Sequence, residues 1–215
     1  MGKLFTDRMA VAATISSVIN HKIPNGAANI QQLVDGGGKV STQLGRQLDD
    51  VRACANLVAA KLGEMGDLSV MQQQLFYFRS VKNAARQMGA AQCGELAGYV
   101  YWRLHRQGTY PISFVKVANV KRFDNHAFVA IGLSEHKGEQ EMSNWGEDVV
   151  ICDPWLNQLL ETQGKAKQAD KGAYSVSEYI EFTKPYFEDG DSVTVAFSMG
   201  KSAGDVPKGM KNFGA

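Results

Sequence analysis

What most constrains the fold of this chain is a change of texture around Gly108 and Pro111: helix-spaced apolar residues fill the stretch before it, and short β-branched and aromatic runs fill the stretch after. Upstream, Phe5 to Asn20 keeps helical spacing before the break at Pro24-Asn25-Gly26. A polar helix is expected around Ile30 to Val34, ended by Gly36, Gly37 and Gly38, and a longer one through Leu44, Leu48, Val51, Leu57 and Leu62, ended by Gly63 and Gly66. Ser69 and Gln72 form a capping box ahead of a helix with Leu75, Phe78 and Val81 on its apolar face, closing near Gly89. Leu96, Val100, Tyr101 and Leu104 mark the next helix, which leaves Cys93 at its start.

Downstream, Ile112–Val120, His126–Leu133, Val149–Cys152 and Val193–Phe197 read as strands, with Ser134–Asp148 as the exposed loop of a long hairpin. Ser175 and Glu178 are a second capping box, opening a helix through Tyr179, Ile180 and Phe182. Helices first and strands second predict an α+β fold with a mainly antiparallel sheet.

The 215 residues suffice for one packed domain with an appended segment, and 44% hydrophobic with 21% charged residues is a globular composition. A net charge of +1 recommends neither nucleic acid nor an anionic membrane as the main partner. No apolar run has the length of a membrane span, and no signal peptide is recognisable. Cys54, Cys93 and Cys152 form no CxxC pair and no metal-ligand spacing, so reduced thiols, no metal and no cofactor are expected. Cys54 reads as a core residue, Trp155 as packing beneath the strand end, and His21, His105 and His136 as solvent-facing.

Three segments carry chemistry. In Gly89-Ala90-Ala91-Gln92-Cys93-Gly94-Glu95-Leu96, small residues lead Cys93 into the first turn of a helix, where unpaired N–H groups favour negative charge and can hold an oxyanion. Asp124-Asn125-His126-Ala127-Phe128 puts a histidine at the head of an apolar strand, and Val150-Ile151-Cys152-Asp153-Pro154-Trp155 ends another strand with an aspartate. Each alone has a plainer reading: a core thiol, a satisfied strand histidine, an Asp-Pro turn. If the two strands pair, Asp153 lies beside His126, and nucleophile, base and orienting carboxylate follow in that order.

The segments Cys-Gly-Glu-Leu-Ala, Asn-His-Ala-Phe-Val and Cys-Asp-Pro-Trp resemble the active-site motifs of the papain-like and transglutaminase-like cysteine superfamily, and most nearly the glutamine-deamidating domains of bacterial toxins and secreted effectors. The similarity covers about residues 68–198. It implies a papain-like fold with Cys93 as nucleophile, His126 as general base and acid, and Asp153 as orienter, with Gln87, Gln92 and Gly94 as candidates for holding the oxyanion or the substrate. With the helical periodicity of the first sixty-odd residues and the Gly- and Lys-rich end, the chain divides into a helical amino-terminal segment (1–66) for secretion, chaperone binding or substrate recognition, a catalytic domain (67–200) and a flexible tail (201–215). The expected function is deamidation of Gln or Asn on a target protein by a bacterial effector exported without a cleaved signal peptide. A secretion chaperone or a cognate immunity protein would be further partners. The alternatives are a cysteine protease or cell-wall peptide amidase with the same triad, a transglutaminase, and a non-catalytic interaction module on the same fold.

Overall fold

Local signals start and stop most of the helices. Ser69 and Ser175 each cap a helix, their hydroxyls accepting the N–H of Gln72 and Glu178, while the Gln72 and Glu178 side chains accept the N–H groups of the two serines. Gly89 closes the first of these helices in a left-handed conformation (φ 65°) that a residue with a Cβ rarely adopts. The computed structural model describes residues 2–23, 27, 30, 42–66, 68–118, 125–133, 138–165, 171–187 and 192–200. Among them are six α-helices, α1 (Lys3–Lys22), α2 (Thr42–Glu64), α3 (Val70–Met88), α4 (Cys93–Gln107), α5 (Pro154–Thr162) and α6 (Val176–Thr183). Six strands, β1 (Ile112–Ala118), β2 (Asn125–Ile131), β3 (Gly138–Glu141), β4 (Val150–Cys152), β5 (Ala173–Ser175) and β6 (Ser192–Met199), form one sheet in the order β3-β6-β1-β2-β4-β5.

Every neighbouring pair of strands is antiparallel, so the molecule is an α+β protein. The expected hairpin between the His126 and Cys152 strands is present, with Val129 opposite Cys152 and Ile131 opposite Val150. The connection between them is more than a loop. Gly138–Glu141 reaches the far edge and pairs with β6, and Met142–Asn144 makes a 3-10 turn. The sequence Gly-Glu-Gln-Glu carries no apolar alternation, because this edge strand is largely exposed and held by its backbone ladder. Two further elements have weak sequence signals: β5 is only three residues long, and α5 begins at an Asp-Pro that reads equally well as a turn.

The helices cover the sheet and share one core. α1 packs on β4 and β5, α2 on α3, α3 on α4, and α4 on β1 and β2. Every residue of β2 after Asn125 is buried. Phe128 meets Tyr179 and Trp145 on one side, which by strand alternation turns Ala127, Val129 and Ile131 to the other. Cys54 is exposed: Leu48, Ala55 and Ala59 form the buried stripe of α2, and residue 54 falls outside it. His105 is buried, its Nδ1 2.7 Å from the hydroxyl of Tyr110, because the turn after α4 folds that tyrosine back over it. His21 is exposed. The helix expected at Ile30–Val34 (apart from Ile30 itself), His136 and the tail 201–215 lie outside the described residues.

Phe78 of α3, Phe114 of β1, Phe197 of β6 and Tyr101 of α4 form an aromatic cluster with ring centroids 4.9–6.5 Å apart. Gly98 lets α4 approach it, since a Cβ at that position would lie 2.6 Å from Cδ1 of Phe78. In an open helix Gly→Ala gains about 1 kcal/mol. Here displacing a buried ring costs about 1–3 kcal/mol, so overpacking outweighs propensity. Gly98→Ala is therefore expected to lower the urea midpoint at unchanged m-value; a raised midpoint would show that Phe78 can swing aside freely.

Candidate active site

The first turn of α4 is built by an N-terminal cap and an ion pair. Gln92 is the N-cap residue in extended conformation, and its backbone N–H donates to Glu95 Oε2 at 3.0 Å, one turn into the helix. Glu95 is 3% exposed, and a buried carboxylate needs a partner. Arg52 of α2 supplies it in a two-pronged contact, Nε to Oε1 at 2.6 Å and Nη2 to Oε2 at 2.9 Å. The same Nη2 donates to Gln92 Oε1 at 2.7 Å, and Nη1 reaches Asp49 at 3.1 Å. Cys93, the first residue of α4, is therefore held between an anchored cap and a neutralised carboxylate. Its Sγ lies 3.9 Å from the carbonyl oxygen of Asn125, the residue before His126.

His126 enters from the start of β2, fully buried, and Asp153 from the end of β4. His126 Nε2 is 2.7 Å from Asp153 Oδ2. A carboxylate only accepts, so Nε2 carries the proton, and Nδ1 is the ring nitrogen left to serve the Cys93 side chain, whose influence on the ring favours the imidazolium. Burial disfavours the imidazolium, but the Asp153 charge and hydrogen bond, with a further contribution from Cys93, outweigh it and raise the His126 pKa above the ordinary histidine value. The Trp155 ring packs 4.6 Å from the imidazole.

Asp153 serves three partners. Besides His126, Oδ2 accepts the hydroxyl of Tyr179 on α6 at 2.8 Å, and Oδ1 accepts the N–H of Leu156, capping α5. Its own N–H donates to Gly172 O at 2.8 Å. Gly172 has φ 84°, and a Cβ there would collide with Ser16 of α1, so glycine alone permits this approach. Tyr179 is held protonated, its pKa well above the ordinary value through burial and then the Asp153 charge and hydrogen bond.

These residues meet at a cleft of about 730 Å³, floored by Cys93 and His126 and walled by Arg52, Tyr77, Lys116 and Phe197. Gln92 and Gly94 line it too, and a Cβ at Gly94 would meet nothing within 4 Å, so that backbone is open to an approaching group. Gln87, the other candidate, is exposed on the last turn of α3 and outside the cleft. Tyr179 and Arg52 had no sequence signal beyond helical membership. Among the described residues no cluster of His, Cys, Asp or Glu could hold a metal ion, and no helix is long and apolar enough to cross a membrane. Comparisons with known family models, curated proteins and solved structures give no significant match to this chain.

The three thiols sit in three settings. Cys54 is exposed, Cys152 is fully buried with its pKa pushed up by burial and by Asp153, and Cys93 is 6% exposed beside the imidazole. If exposure ruled, iodoacetamide at pH 7 would label Cys54 first. Activation by the helix terminus and His126 predicts that Cys93 labels about tenfold faster than Cys54 and that His126→Ala removes the advantage. Arg52→Ala leaves the Glu95 carboxylate unneutralised two residues from the sulfur and should slow Cys93 about fivefold. Adding Glu95→Gln should restore the rate, which peptide mapping by mass spectrometry reads directly.

Proposed function

We propose that this chain is a cysteine-dependent amide hydrolase of papain-like type that deamidates Gln or Asn side chains on a target protein. The observation that carries the reading is the buried line of thiol, imidazole and carboxylate opening on a cleft, with the thiol on the first residue of a helix. The order of elements, with the cysteine on a helix packed on an antiparallel sheet and the histidine and aspartate on neighbouring strands, agrees with that fold.

In the first step Cys93 Sγ attacks the side-chain carboxamide carbon as the thiolate, its proton already held on His126 Nδ1 in the imidazolium that the raised histidine pKa favours. The oxygen of the tetrahedral intermediate takes up negative charge, for which the backbone N–H groups of the first turn of α4 are the nearest donors. Gln92 adds a side-chain donor: with its oxygen committed to Arg52, what it offers the cleft is the amide nitrogen. The imidazolium returns the proton to the leaving nitrogen, ammonia departs and a thioester remains. His126 then draws a proton from water as the water attacks the thioester carbon, and the product carboxylic acid leaves with Cys93 restored. Asp153 holds the Nε2–H tautomer and stabilises the imidazolium. Tyr179 donates its hydroxyl to the same carboxylate oxygen and so keeps that oxygen turned toward the imidazole.

The resemblance to toxin and effector deamidases motivates the target class and export into a target cell without a cleaved signal. A protein substrate suits a cleft whose rim is contributed by α2, α3, β1 and β6 together. Incubating the purified chain with lysates of candidate target cells, followed by peptide mass spectrometry, should reveal Gln→Glu or Asn→Asp conversion with release of ammonia. Cys93→Ala and His126→Ala should abolish it, and Asp153→Asn should lower kcat by about a hundredfold or more. Cleaved peptide bonds would mark a protease, incorporated amines a transglutaminase, and an effect untouched by Cys93→Ala a binding module. The alkaline limb of the rate profile should lie above the ordinary histidine pKa, because the imidazolium that protonates the leaving nitrogen persists to the raised value. Replacing Asp153 by Asn removes the charge that raises it, so the limb should move to lower pH.

A further inference from the structure

The opposite side of the α3–α4 hairpin has a charge problem of its own. Nine residues at about 100° each turn Trp102 to the far side of α4 from Cys93. Lys82 of α3 lies against that tryptophan, Nζ 3.9 Å from the ring centroid, with the Arg106 guanidinium 5.7 Å from the same ring. Arg79, Lys82 and Arg86 follow at i, i+3 and i+7, one stripe along α3, and Arg103 and Arg106 form a matching pair on α4. The two helices themselves bring almost no negative charge to this face. Helix α3 contains no Asp or Glu, and the sole acidic residue of α4 is Glu95, held by Arg52. Among the described residues no ion pair engages Lys82, Arg86, Arg103 or Arg106.

Lys82 is only 7% exposed, and a lysine so covered is almost always paired. Its covering is shallow, made at a surface by neighbouring side chains, but burial and then the flanking Arg86, Arg79, Arg103 and Arg106 bring its pKa down to about 8. The helix dipole accounts for part of the cluster, since Arg86 and Arg106 sit in last turns where cations are favoured. It does not account for Lys82, a full turn earlier and among like charges. The indole face repays some of the cost, and an anion would repay more.

We propose that the α3–α4 face centred on Lys82 is a binding site for a phosphoryl-bearing anion, contacted by Lys82, Arg86, Arg103 and Arg106. Several oxygens on one centre suit the geometry: guanidinium forks take two oxygens each, and the ammonium acts as a point charge between them. A single carboxylate would satisfy one arginine and leave the others opposed. The phosphoryl group can belong to a soluble polyphosphate or to a lipid headgroup, and the site is independent of the chemistry at Cys93.

Titration calorimetry of the full chain with tripolyphosphate tests this. Saturable binding is expected, weakened about tenfold by Arg86→Glu or Arg106→Glu, both at exposed positions where folding is not at stake. Lys82→Met, which keeps the aliphatic stem, should weaken it comparably; if that variant unfolds, the two arginine variants decide. Lys184→Glu, an exposed substitution on another part of the surface, makes the same change in net charge and should leave binding within about twofold. Absence of saturable binding, or equal weakening by Lys184→Glu, would overturn the site. Co-sedimentation with phosphatidic acid vesicles that tripolyphosphate competes away would assign the lipid source, and tripolyphosphate binding without co-sedimentation the soluble one. A single-stranded oligonucleotide bound through the same residues, with no binding of tripolyphosphate, would refute the small-phosphate assignment in favour of nucleic acid.

Discussion

The buried contact between His126 and Asp153 is the constraint to which the rest of the molecule answers. Taking a carboxylate and an imidazolium out of water costs several kcal/mol per ion, and a pair survives in the interior only when its remaining hydrogen-bonding positions are filled. Here the filling is done by four separate pieces of chain. The pairing of β2 with β4 brings the two residues together, the N-terminus of α5 occupies Oδ1, Tyr179 of α6 shares Oδ2, and Gly172 fixes the aspartate backbone against α1. Because the histidine pKa is raised, the pair's contribution to folding is fully present below about 6.5, the unfolded value, and is lost as the pH rises through the folded one.

A second buried carboxylate repeats the logic on the thiol side. Glu95 ties the N-cap of α4 from within, and Arg52 ties Glu95 from α2. The consequence is that the amino-terminal helices are not spectators of the cleft. Arg52 is half-exposed and holds Gln92 and Glu95 at once, so a change in how α2 lies on α3 would be felt at the residue next to the sulfur.

Reading the sequence recovered what is written in local spacing. The capping boxes at Ser69 and Ser175, the helix beginning at Cys93, and the pairing of the His126 and Cys152 strands are all short-range or set by hydrophobic pattern. What it did not recover is held together by tertiary geometry. Gly138–Glu141 is polar and becomes a strand only because β6 offers an edge, and Pro154 starts a helix only because Asp153 turns a carboxylate oxygen to the N–H of Leu156. The same holds within the site. Tyr179 reads as an apolar-face residue and Arg52 as one charge among many, since the atoms they meet come from residues 26 and 43 positions away. Gln87 illustrates the reverse error: the resemblance made it a candidate, and its place on the exposed face of the last turn of α3 keeps it out of the cleft.

The two halves of the line of thiol, imidazole and carboxylate are thus mounted differently. The imidazole and carboxylate ride on paired strands, where register fixes their separation, whereas the thiol rides on a helix whose position relative to the sheet is set by side-chain packing. Its packing against α3 is tight where Gly98 faces Phe78, a turn and a half beyond Cys93 on the same helix. Helices move as rigid rods over such a length, so a ring displaced there would tilt the helix and carry the sulfur with it. The alignment of sulfur and imidazole therefore depends on a glycine and a phenylalanine that do no chemistry at all, and the aromatic cluster beneath the cleft belongs to the site as much as the polar network does.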